Sequence, residues 1–262
     1  MPKKVRNRSF ELVKAFPDTD LHVRFEQGHP LASHVLKDLG RNSSSLTAAT
    51  VNNAEYSTLQ VGNRRYGAVR CKGSGAEHAK VTDNSGLIYP STAADGATGS
   101  IAEDKPHTFS LWFKASELPG VANYLFSRAP LSGDLSGLYL LLGNTGGLIY
   151  RLATSTVGDG SANNYIDAST ASGIIIADKL YHLGVTYDAK GLGGIKVYLN
   201  GELLNVTHTE TGTYAGLNPE HSVVLDIGAY GGAEFEGQIA EFAYFNRELS
   251  ATEIREIYNI IT

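Results

Sequence analysis

Hydrophobic and polar residues alternate with a period of two along much of the chain. In "TFSLWFKAS" (108–116), Phe109, Leu111 and Phe113 fall on one side, and Ser110, Trp112 and Lys114 on the other. A strand with two unlike faces produces this alternation. "IKVYLNGELL" (195–204) repeats it and then reaches Asn200-Gly201. Asn-Gly supplies two positive φ angles, which predicts a tight type I′ hairpin with an exposed tip. "LHVRF", "ANYLFSR", "GLYLLLG", "GLIYRLAT", "KLYHLGVTYD", "SVVLDIGAY" and "FEGQIAEFAYFNREL" read as further strands. "YGAVRCKG" and "EHAKVTD" read as two short strands around a Gly-Ser-Gly turn. "KDLGRNSSSLTAATVNNA" reads as turns, residues 90–107 as a loop closed by Pro106, and 155–164 as a flexible loop.

Only the C-terminal end carries a helical pattern. Ser250 followed by Glu253 is a capping box, and Ile254, Ile257, Tyr258 and Ile261 then make one apolar stripe. One short helix after many short strands predicts an all-β fold: a jelly-roll sandwich of two antiparallel sheets with a short C-terminal helix. Residues 1–18 read as a basic N-terminal arm and 19–262 as the jelly-roll domain.

Composition narrows the classes. The 262-residue chain is long enough to bury a large core without staples. Cys71 is the only cysteine, which excludes an internal disulfide and argues against a thiolate zinc site. The net charge of −5 gives no global attraction to nucleic acid. No apolar run approaches membrane-helix length, and the N-terminus does not read as a signal peptide. Lys3, Lys4, Arg6, Arg8 and Lys14 crowd into the arm beside Phe10 and Phe16.

The chain resembles laminin-G-like domains of the concanavalin A-like lectin/glucanase superfamily. The resemblance rests on "FSLWFKA", "YHLGVTYDAKG", "VYLNGELL" and, most specifically, "FEGQIAEFAYFNRELSATEI". It covers about residues 20–260 in family order. Two positions depart from the pattern: Tyr181 replaces a usual Trp, and Ala240 replaces the first residue of an Asp-Glu pair. Relatives with a structural calcium use acidic groups near the sheet edge, so the resemblance with Ala240 implies at most a weak structural calcium and no other cofactor.

Catalytic chemistry finds little support. Glycosidases need two carboxylates across the scissile bond. Glu234, Glu236 and Glu241 are the nearest candidates, but the third lies at odd spacing and falls on the opposite face unless a bulge intervenes. Glu241 shares its alternation with Ile239, Ala243 and Phe245, and reads as a satisfied buried carboxylate. His182 reads as structural. Sugar binding would call on aromatic platforms, for which Tyr124, Tyr139, Tyr150, Tyr165, Tyr214 and Tyr230 are available. Trp112 reads as core, with a concave-face role as the alternative.

These readings lead to a non-enzymatic protein with no catalytic or cofactor-binding residues. The free-standing module with its arm resembles virion structural proteins of tailed phages. That resemblance implies a capsid decoration or tail component, made in the host cytoplasm and located in the virion. Its partners would be a major capsid protein or a tail protein, without nucleic acid or membrane, and a homo-oligomer is allowed. Lys3, Lys4, Arg6, Arg8, Phe10 and Phe16 are the expected partner-docking residues. The alternative is a carbohydrate-binding adhesion module that meets a host-surface glycan, and a glycosidase is a remote third.

Overall fold

The computed structural model describes residues 12, 15, 16, 19, 21–25, 36–38, 46–51, 55–72, 78–83, 101–129, 137–154, 164–217 and 224–262. The strands are β1 (Leu21–Phe25), β2 (Leu36–Asp38), β3 (Leu46–Val51), β4 (Glu55–Val61), β5 (Arg64–Cys71), β6 (His78–Asp83), β7 (His107–Ala115), β8 (Asn123–Arg128) and β9 (Gly137–Leu142). They continue with β10 (Leu148–Thr154), β11 (Asn164–Thr170), β12 (Leu180–Tyr187), β13 (Ile195–Leu199), β14 (Glu202–Leu203), β15 (Val206–Thr211), β16 (Leu225–Ile227) and β17 (Gly237–Phe245). The α-helix Ala251–Ile261 follows them.

The strands form two antiparallel sheets. The first runs β14-β13-β12-β7-β17-β1-β2, and β5 joins the far end of β17 with β4 beyond it. The second runs β15-β11-β10-β9-β8-β16-β6-β3. The main core lies between them. From the first sheet come Phe109, Leu111, Phe113, Leu183, Val185, Phe242 and Tyr244; from the second come Leu138, Leu140, Leu142, Leu148, Leu152 and Phe126. Alternation along each strand sends the intervening residues to the two outer faces.

The two outer faces differ. That of the first sheet is covered by the chain itself. Leu12, Phe16, Ile254 and Ile257 pack with Tyr198, Ala243 and Phe245. Leu59, Val61, Tyr66 and Ala68 of the β4–β5 hairpin pack with Trp112 and Ala240. Trp112 is therefore core, stacked on Tyr258 of the helix with centroids 5.6 Å apart. The helix begins on the expected capping box, with both Ser250 and Glu253 side chains engaged.

Several sequence expectations change in detail. β5 and β6 do not pair with each other: β5 lies in the first sheet and β6 in the second. The stretch read as turns holds β2 and β3, and β11 and β15 were not distinguished from their flanking loops. Their threonines and small polar residues carry no apolar alternation, so pairing with neighbours decides their state. Asn200 and Gly201 do take φ of 52° and 81°, as the hairpin requires. The tip is not exposed, however, because Gly201 is buried beneath Arg255 and Tyr258 of the helix. In β17 a bulge lies between Ala240 and Ala243. One extra residue resets the alternation, so Ile239 and Phe242 face the main core while Ala240, Ala243 and Phe245 face outward. Ile239 and Phe245 are thus on opposite faces, against the straight reading. Glu241 sits in the bulge with φ of 49° and is buried.

Candidate functional site

The outer face of the second sheet is where polar and aromatic side chains gather. Strand register sets the row. Thr209 on β15 lies opposite Asp167 on β11, Asp167 opposite Arg151 on β10, and Arg151 opposite Tyr139 on β9. Tyr139 lies opposite Ser127 on β8, Ser127 opposite Asp226 on β16, and Asp226 opposite Lys80 on β6. Their neighbours along each strand, such as Leu140, Leu152 and Ile166, point into the core.

At the centre, Arg151 donates Nε and Nη2 to the two carboxylate oxygens of Asp167, both at 2.8 Å. Its guanidinium carbon stands 3.6 Å from the centroid of Tyr165. Burial opposes the Arg151 charge, but the bonds to Asp167 outweigh it and raise the pKa. The planar fork is held bidentately and stacked, so its remaining N–H donors have fixed directions.

Beside this pair, three tyrosines pack together in one aromatic cluster. Ring centroids are 5.1 Å apart for Tyr124 and Tyr230, 5.0 Å for Tyr139 and Tyr230, and 5.8 Å for Tyr124 and Tyr139. Tyr139 is buried, and Tyr124 and Tyr230 are half-buried. The Tyr124 hydroxyl has a raised pKa, first from burial and then from Tyr230, with Arg151 acting against them. Tyr230 comes from the turn after β16, whose backbone closes through mutual bonds between Tyr230 and Ala233. A parallel bridge joins Tyr124 to Glu234, which fixes that turn against β8. A further cluster continues the row, where His78 Nε2 lies 3.0 Å and Lys80 Nζ 3.9 Å from Asp226 Oδ1.

The structure sorts the tyrosine candidates. Tyr124, Tyr139, Tyr165 and Tyr230 share this face. Tyr150 and Tyr214 are in the core instead. The Tyr150 hydroxyl donates to His107 Nε2 at 2.7 Å, since His107 Nδ1–H is committed to the Lys105 carbonyl. Tyr214 and Tyr187 donate to the buried Asp104 at 2.8 and 2.9 Å. Arg151 and Asp167 were missed. Each is a charge in mid-strand on the side opposite core residues, and that was the available signal.

Of the expected partner-docking residues, Lys3, Lys4, Arg6, Arg8 and Phe10 lie outside the described residues. Phe16 is 5% exposed and meets Phe245 edge-on, with centroids 6.0 Å apart. Its side chain is engaged within this chain. Of the glycosidase candidates, Glu234 and Glu241 are buried and Glu236 is half-buried just before β17. His182 is buried against Ser110, with Nε2 and Oγ 2.9 Å apart. Among the described residues, no three His, Cys, Asp or Glu side chains are grouped to hold a metal, and no helix is long and apolar enough to cross a membrane.

Residues 89–255 match the family model described as the concanavalin A-like lectin/glucanases superfamily. The chain belongs to that superfamily. No curated protein matches its sequence. Among solved structures, the binding domain of botulinum neurotoxin serotype G is similar at 17% identity and a TM-score of 0.61, over 92% of this chain and 51% of that one. The binding domain of Paraclostridial Mosquitocidal Protein 1 is similar at 14% identity and 0.62, over 93% and 52%. A structure of botulinum neurotoxin type C, whose cell entry depends on interaction with two ganglioside molecules, is similar at 14% and 0.62, over 96% and 53%. This chain spans about half the length of those domains.

These matches correct the virion reading. The fold is that of a lectin/glucanase superfamily member shared with toxin binding domains, not one tied to phage virion proteins. The decoration or tail role, the capsid and tail partners and the virion location fall with it. A lone module beside a basic stretch is a composition that many unrelated proteins share, so it carried no specific placement.

Proposed function

We propose that the protein is a non-catalytic carbohydrate-binding module. The observation that carries this reading is the aromatic cluster of Tyr124, Tyr139 and Tyr230 beside the Arg151–Asp167 pair, on the sheet face that the helix and the β4–β5 hairpin leave alone. Sugar rings present apolar C–H faces edged by hydroxyls. Tyrosine rings supply apolar surface with a polar tip, while a rigid Arg–Asp pair supplies both donors and acceptors. A few fixed polar groups in an aromatic surround are what orients a small ligand. The superfamily's lectin members and the ganglioside named for the type C neurotoxin structure support the same chemical class. The glutamates have no place in this cluster: Glu241 lies in the first sheet, and both it and Glu234 are buried.

A glycan array tests the reading. The wild-type protein should mark a coherent set of glycans, and Tyr139→Ala or Tyr230→Ala should abolish the signal while the melting temperature shows a folded protein. An array that stays blank, or signals that survive both changes, would contradict it.

A further inference from the structure

We infer that this face takes a neutral oligosaccharide of more than one pyranose unit, in preference to acidic glycans; the inference rests on the carbohydrate-binding reading. The first argument is charge. Arg151 is a cation beside the tyrosine cluster, and Asp167 holds it with two bonds of 2.8 Å. An acidic sugar would meet Asp167 as a like charge, and like-charge contacts cost specificity directly.

The second argument is hydrogen bonding. Arg151 uses Nε and Nη2 on Asp167, and a guanidinium has five N–H donors. Each Asp167 oxygen retains acceptor capacity. Donors and acceptors therefore stand side by side. A pair of neighbouring hydroxyls, each able to give and to receive, matches that arrangement. A carboxylate or sulfate, which only accepts, matches half of it. Thr209 next to Asp167 is exposed and extends the hydroxyl-binding edge.

The third argument is length. Tyr165 and Asp167 lie on β11 and Tyr124 on β8, three strand spacings away, which is about 14 Å. One sugar ring cannot touch both ends. The Arg151–Asp167–Tyr165 group and the tyrosine cluster act as adjacent subsites.

The test is calorimetric titration of the full chain with neutral gluco- and galacto-oligosaccharides from monosaccharide to tetrasaccharide. The same chains carrying a sialic acid or a sulfate are titrated beside them. The neutral tetrasaccharide should bind about tenfold or more tighter than its monosaccharide, and about tenfold tighter than its acidic counterpart, roughly 1.4 kcal/mol in each comparison. Asp167→Asn, which keeps the shape and frees the Arg151 charge, should narrow the gap between neutral and acidic ligands. Equal or tighter binding of the acidic chains, lost in Tyr139→Ala, would overturn the neutral preference and leave the carbohydrate-binding reading standing. A monosaccharide as tight as the tetrasaccharide would overturn the two-subsite arrangement. Binding of no glycan of either kind would overturn both readings.

Discussion

Arg151 and Asp167 face each other across β10 and β11, and the arginine donates two bonds of 2.8 Å to the carboxylate. The pair is partly covered, with 30% of the arginine side chain and 9% of the aspartate exposed. Removing one partner leaves the other short of water and short of bonds. Arg151→Ala should destabilise the domain by about 2 kcal/mol, the scale of charge-assisted bonds. Arg151→Lys should restore little, because an ammonium cannot reproduce the fork or stack flat on Tyr165. Chemical denaturation of the three proteins checks both expectations, and full recovery by lysine would show that charge alone matters there.

The opposite side of the molecule is held by Trp112. Its ring stacks on Tyr258 and lies 5.2 Å from His182. Trp112→Ala would leave a hole beneath the helix. The expected loss is about 3–5 kcal/mol, with a fall in melting temperature on the order of 10 °C. Because the proposed glycan face is on the other sheet, folded Trp112→Ala protein below its melting point should bind glycan as the wild type does. A loss of binding without unfolding would contradict the division between the two faces.

Gly201 is confined in two ways. Its φ is 81°, and a β-carbon there would stand 3.3 Å from Tyr258 Cδ1 and 3.4 Å from the Arg255 Cα. Gly201→Ala should cost about 1–2 kcal/mol from backbone strain, plus a shift of the helix. Thermal melting reads the first effect. Loss of the Arg255–Glu202 ion pair, now 2.9 Å, reads the second in a structure of the variant.

Acid should weaken the fold through two histidines. Burial holds His182 at about 3 and His107 at about 4. In the unfolded chain both titrate near the ordinary value of 6.5. Below 6.5 the unfolded state binds protons that the folded state refuses, so stability falls as pH drops from 6.5 toward 4 and levels off only below the folded values. Asp104 works in the other sense. Burial raises its pKa, so the folded state takes up a proton on acidification before the unfolded chain does and recovers some stability. Melting temperatures from pH 7 to pH 4 should therefore decline, and His182→Gln should flatten the decline. A profile unchanged by that substitution would contradict the assignment.

The strands with clean alternation were legible in the sequence, as was the capping box that starts the helix. "TFSLWFKAS" assigned Phe109 and Trp112 to opposite faces correctly because that strand is regular and covered on both sides. β17 defeated the same rule past Ala240, because one inserted residue reverses every side chain after it. β11 and β15 escaped because polar residues on an outward face look like loop. The site was half visible. The tyrosines could be named, but which of them met depended on strand order, and four neighbouring strands contribute to the tyrosine cluster and its Arg–Asp pair. Arg151 and Asp167 are 16 residues apart, and their pairing is a matter of register alone.

The central claim is that the outer face of β8–β11 is the glycan-binding surface. Amide chemical-shift mapping during titration with the tightest neutral oligosaccharide tests it most directly. The shifts should concentrate at Tyr124, Tyr139, Arg151, Tyr165, Asp167 and Tyr230, and the amides of the C-terminal helix should stay still. Shifts centred on that helix or on the β4–β5 hairpin, with these six residues unmoved, would contradict the account.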